Sequence, residues 1–202
     1  KSISLGNSPR FCPYTSNDDT REEPFVIPNF FEYWAEFCAP GTCSTTLRFE
    51  AVKQSGGMRG DLRITEDYEY WLYLSTFGQW GIIPEVFYVS DGGAVTQVQG
   101  HIKKDIERAC KSPNLAEFEK RIIGRVSDEE MSHYQKARGR VSRVLTYSHV
   151  ITGRFSLGRI EALKYGKYFP QDKIGRLMNL AKHTELTWRC LAYLLRWREY
   201  HR

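Results

Sequence analysis

The chain has 202 residues, 41% of them hydrophobic and 14% aromatic, which excludes an intrinsically disordered polypeptide and allows one or two domains with a real core. Its net charge of +5 is unevenly divided: residues 1–100 hold 7 Lys/Arg against 13 Asp/Glu, net −6, and residues 101–202 hold 22 against 11, net +11. No apolar run approaches the roughly 20 residues of a membrane-spanning helix, and no Walker loop, G-x-G-x-x-G, H-E-x-x-H or RNA-binding aromatic motif occurs.

Residues 1–24 are polar and carry Pro9 and Pro13. Asn17-Asp18-Asp19 has the look of a metal motif but follows no apolar strand, so a solvated loop is expected. A loop at 39–41 leads to a predicted strand over 42–47 and then a short helix. Gly56-Gly57 gives that helix its stop signal. Thr65-Glu66-Asp67 opens the next helix, and Trp71, Leu72 and Leu74 place its apolar side inward. Two acids in a first turn face the positive end of the helix dipole. They can accept free backbone N–H groups there. A carboxylate held in that way is oriented as a general base must be, although an ordinary dipole partner has the same signature. Phe77 to Gly81 closes the helix. Residues 82–89 read as strand, demoted to an edge by Pro84. Ser90 to Val95 then forms a turn whose Gly92 and Gly93 let backbone approach a ligand or simply reverse the chain.

The basic second half reads as helical. A helix over 101–126 is broken at Ser112-Pro113-Asn114. Ser127-Asp128-Glu129-Glu130 is a capping box that starts a long helix to about Val150. Its apolar stripe is Tyr134, Ala137, Val141, Val144, Leu145 and Ser148, with Lys136, Arg140 and Arg143 on another face. A helix from Gly158 stops before Pro170. The last helix, from about Asp172, sets Trp188, Leu191, Ala192 and Leu195 on one face. That face suits packing on its own domain, or an interfacial membrane helix because arginines flank it. Five cysteines, odd in number and without C-x-x-C spacing, point to reduced thiols and a cytoplasmic protein.

The order Cys43 to Leu47, Gly56-Gly57, Asp61, Glu66-Asp67, Trp71-Leu72-Tyr73-Leu74, Gly78, Ile83-Pro84-Glu85 and Asp91 to Val95 resembles the second half of a family-2 glycosyltransferase catalytic domain of the GT-A type. The likeness covers about residues 38–98. It implies an α/β fold, with a partial, Rossmann-like GT-A sheet region over 1–100 and a basic helical region over 101–202. The nucleotide-binding half, with its Asp-x-Asp metal motif, is expected to lie outside this chain. The Gln-x-x-Arg-Trp motif of processive synthases is absent, since residues 96–101 read Thr-Gln-Val-Gln-Gly-His.

The resemblance implies an inverting transfer of a sugar from a nucleotide-sugar donor to an acceptor hydroxyl on a glycan or lipid-linked molecule. Asp67 would be the base, and Glu66 would orient it or bind the acceptor. Arg63, Trp71, Gly92 and Gly93 are the expected substrate contacts. A divalent cation, Mn²⁺ or Mg²⁺, would assist, with His101 the one histidine placed to add a ligand. The basic half seeks an anionic partner, such as a phosphorylated acceptor or the inner face of an anionic membrane, and nothing favours nucleic acid. The rival expectation is a binding or membrane-docking module without catalysis.

Overall fold

The computed structural model describes residues 4–5, 23–36, 40–83, 89–90 and 106–201. The described chain is mostly helical. Its strands are four pieces of two residues each. β1 (Ser4–Leu5) pairs antiparallel with β4 (Val89–Ser90), and β2 (Phe25–Val26) pairs antiparallel with β3 (Gly81–Ile82). The helical second region is as expected. The described residues contain no parallel Rossmann-like sheet, only these two ladders.

The predicted strand over 42–47 is instead a 3-10 turn, Thr42–Ser44, followed by extended chain. Its hydroxyls explain the difference. The Gly41 carbonyl accepts from Ser44 N, Ser44 Oγ and Thr45 Oγ1 at 3.0, 3.0 and 2.8 Å. Ser and Thr bonded locally in this way close a turn in competition with a sheet ladder. Of the expected strand over 82–89, residues 84–88 lie outside the described residues.

α1 (Phe30–Glu36) begins where the Asn29 side chain accepts from Glu32 N at 3.0 Å. It buries Phe30, Phe31, Tyr33 and Trp34. α2 (Phe49–Ser55) ends on Gly56 at φ 71°, the left-handed conformation that favours glycine. α3 (Glu66–Leu74) buries Tyr70, Trp71, Leu72 and Leu74. Burying a large apolar side chain completely contributes about 1.5–3 kcal/mol, so these four and the four of α1 anchor the first region.

The expected helix over 101–126 is described only as short pieces, α4 (106–109) and α5 (Leu115–Phe118), with turns to residue 125. Asn114 caps α5 by accepting from Glu117 N. α6 (Asp128–Ile151) starts at the capping box as expected, with Ser127 Oγ accepting from Glu130 N at 3.3 Å. Its 24 residues make a rod about 36 Å long. Tyr134, Ala137, Val141, Leu145 and Ser148 are buried along it. α1, α5, α7 (Phe155–Tyr165) and α9 (Glu185–Tyr200) all pack on it. Lys136, Arg140 and Arg143 are not a free basic face. Lys136 pairs with Glu32, Arg140 donates to the Trp34 and Ala35 carbonyls, and Arg143 pairs with Asp172.

The last predicted helix is two helices, α8 (Lys173–Ala181) and α9. Thr184 breaks it, its hydroxyl accepting from Thr187 N as an N-cap. The Trp188, Ala192 and Leu195 face packs inward, and Trp188 Nε1 donates to the Phe155 carbonyl at 2.8 Å. Exposed on α9 are Leu186, Tyr193, Leu194, Trp197 and Tyr200. No helix among the described residues is long and apolar enough to cross a membrane. One apolar cluster runs from Ile27 to Leu195 across residue 100.

Candidate functional site

The loop between α2 and α3 is fixed by Arg59. Its guanidinium donates to both oxygens of Asp61, to the Glu117 carbonyl at 2.8 Å and to Glu117 Oε1 at 2.6 Å. The loop ends at Thr65, the only described non-glycine residue at positive φ (64°). A β-branched residue in this conformation costs on the order of 1–3 kcal/mol. Its hydroxyl donates to the Ile64 carbonyl and does not cap α3. The strain therefore sits one residue before the acid pair, where it sets the direction in which Glu66 and Asp67 leave the loop.

Glu66 and Asp67 are both half-buried in the first turn of α3. Asp67 Oδ1 accepts from Tyr68 N at 2.8 Å. Burial pushes the Asp67 carboxyl above the ordinary aspartate value and the charge of Glu66 adds to the rise, against the opposing pull of the Tyr68 N–H. Glu66 faces a cleft of about 790 Å³ whose other lining residues, among those described, are Leu62, Arg63, Glu107, Arg108, Cys110 and Lys111. Asp67 lies beside this lining and not in it.

Of the expected substrate contacts, Arg63 is at the cleft. Trp71 is not. It is 1% exposed, its indole N–H donates to the Pro40 carbonyl at 3.1 Å, and its ring meets Trp80 edge-on. It is a core residue, because α3 turns that side of itself away from the cleft. Gly92, Gly93 and His101 lie outside the described residues. Among the described residues no group of three or more His, Cys, Asp or Glu side chains converges to hold a metal ion. They therefore do not by themselves fit the expected cation.

Sequence reasoning missed Arg108 and Lys111, which arrive at Glu66 from the second region. Their signal was the basic stretch before the Ser112-Pro113-Asn114 break. The segment is held by Arg154, whose Nη2 donates to the Ala109 carbonyl at 2.6 Å and Nη1 to the Ser112 carbonyl at 3.2 Å. Also missed was Glu69, fully buried on the inner side of α3. Arg121 grips both its oxygens, at 2.5 and 2.7 Å, and donates to the Gly57 carbonyl. This pair buttresses the acid-led helix from behind. The chain matches no protein-family model, no curated protein and no solved structure.

Proposed function

We propose that the chain supplies the acceptor side of an inverting, GT-A-type glycosyltransferase. In this reading a sugar passes from a nucleotide-sugar donor to an acceptor hydroxyl. One observation supports it above the rest: a strained residue sets an acid pair at a helix start, with Glu66 on a polar cleft and Asp67 raised towards the working range of a base. Glu66 accepts a hydrogen bond from the acceptor. Asp67 takes the proton of the attacking hydroxyl as the new glycosidic C–O bond forms and the bond to the nucleoside diphosphate breaks on the opposite side. The donor, and any Mn²⁺ or Mg²⁺ it brings, belongs to residues other than those described. The proposed setting is the cytoplasm, with attachment to the inner face of a membrane when the acceptor is lipid-linked.

The position of Asp67 beside the cleft lining favours a second reading, a binding module without turnover. Asp67→Asn separates the two. In the active protein, assayed with labelled nucleotide sugars, it lowers transfer about 10²–10⁴-fold. Glu66→Gln costs less. Normal turnover by Asp67→Asn would sink the base assignment, and absence of transfer by the unmodified protein with every donor would select the binding module.

A further inference from the structure

We propose that the cleft beside Glu66 binds the phosphate of a phosphorylated acceptor, a phosphosugar or the phosphate of a lipid-linked acceptor, through Arg63, Arg108 and Lys111. The proposal rests on the transferase reading for the word acceptor. The binding itself does not depend on that reading.

Three exposed cations line one cleft, Arg63 from the loop before α3 and Arg108 and Lys111 from the segment after residue 105. Among the described residues none of the three forms an ion pair. Arg48 and Arg176 are likewise exposed and form no ion pair among the described residues, but they do not converge with other cations on one cleft as these three do. Four further arginines are committed to ion pairs. Arg59 pairs with Asp61 and Glu117, Arg121 with Glu69, Arg138 with Glu119, and Arg159 with Glu185. Those cations hold the fold. The three in the cleft do no such work, although Glu66 and Glu107 line the same space.

Both carrier segments are fixed before any ligand arrives. Arg59 ties the first to α5 through the Glu117 carbonyl. Arg154 ties the second at Ala109 and Ser112, and Lys111 N donates to the Arg108 carbonyl at 2.8 Å within it. Cations on pinned loops lose less freedom on binding than cations on free ones. Two guanidinium forks and an ammonium suit the several oxygens of a phosphate better than the two of a carboxylate.

Glu66 narrows the ligand further. A carboxylate repels a bare phosphate and accepts from a hydroxyl. A molecule that satisfies the whole cleft therefore carries a phosphate at one end and a hydroxyl at the other. The volume of about 790 Å³ lies within the ordinary range of ligand pockets and accommodates a hexose phosphate.

The test is equilibrium binding to the chain without donor. The probes are a hexose phosphate, the unphosphorylated hexose, uridine diphosphate, and phosphatidylcholine vesicles with and without phosphatidylglycerol. The proteins are the unmodified chain, Arg108→Gln/Lys111→Gln and Asp67→Asn. These cations are exposed, so the double variant keeps its fold, checked by circular dichroism. Hexose phosphate should bind more tightly than hexose, weaken about tenfold or more in the double variant, and weaken with salt. Binding of only the phosphatidylglycerol vesicles, lost in the double variant, supports the proposal with a lipid phosphate as the source. Equal affinity of the unmodified chain and the double variant for every probe overturns it. So does uridine diphosphate binding more tightly than hexose phosphate and failing in the double variant, since the cations would then serve the donor. Full turnover by Asp67→Asn with phosphate binding intact would defeat the base assignment and leave this site standing.

Discussion

At the scale of single residues, the deepest commitment is the Glu69 carboxylate, 0% exposed and met by Arg121 on both oxygens. A buried pair is weak evidence for stability as such, because desolvation offsets the attraction. Breaking it from one side is another matter, since the remaining charge has nowhere to go. Arg121→Met should destabilise the chain by about 3–5 kcal/mol. Glu69→Leu together with Arg121→Met should recover much of the loss. Urea unfolding measures both, and an unchanged midpoint for Arg121→Met would show that Glu69 finds another partner. The sequence gives no hint of this pair. Its members are 52 positions apart, and nothing local distinguishes Glu69 from the half-buried acids Glu66 and Asp67 before it. Trp71 shows the opposite error. A tryptophan four residues after an acidic helix start fits a substrate platform as well as a core, and only packing against Trp80 and Pro40 decides between them.

At the scale of elements, two local signals are legible in the sequence. The capping box at Ser127 starts α6, and Gly56 stops α2. The Thr184 cap was overlooked because the apolar spacing on either side continues as if one helix ran through. Gly139 on α6 exerts a longer-range demand. The 3-10 turn Gly166–Tyr168 crosses there so closely that a Cβ on residue 139 would lie 1.8 Å from the Tyr168 carbonyl oxygen. Ala gains about 1 kcal/mol over Gly in a helix interior. Forcing backbone apart costs more, typically 1–3 kcal/mol and on occasion above that. Gly139→Ala should therefore lower the melting temperature, whereas Gly124→Ala, with nothing within 4 Å of the added atom, should leave it nearly unchanged. A rise in melting temperature for Gly139→Ala would mean that the turn moves aside without cost.

At the scale of the whole molecule, the division of charge along the sequence is partly spent inside the fold. Glu32 of the acidic region holds His133 and Lys136 of the basic one, and Glu69 holds Arg121. The remainder of the basic region's charge includes Arg108 and Lys111 of the cleft. The pH response belongs to this scale as well. His149 is fully buried, neither ring nitrogen has a hydrogen-bond partner among the described residues, and burial with the nearby Arg154 charge lowers its pKa to about 4. The folded value lies below the unfolded one of about 6.5. The unfolded chain thus takes up the proton first, and stability falls as pH drops from about 6.5 towards 4, by about 3 kcal/mol in total. Above pH 6.5 the imidazole is neutral in both states and contributes no slope. Over pH 5–6.5 most carboxylates are still ionised, so His149→Leu should flatten denaturation midpoints in that window. An equal slope in the variant would assign the acid sensitivity elsewhere.

The central position of α6 has a consequence for the chain as it is made. Arg140 reaches the Ala35 carbonyl across 105 positions, and Lys136 reaches Glu32 across 104. Phe31 and Trp34 leave the ribosome long before Tyr134 and Arg140 of the helix that packs on them. At about 5–20 residues per second, synthesis of the intervening hundred residues takes about 5–20 s. For that interval the aromatic side of α1 is a nascent adhesive surface, available to chaperones and to neighbouring chains. Such distant contacts also make the folding itself slow compared with that of a locally wired helical bundle.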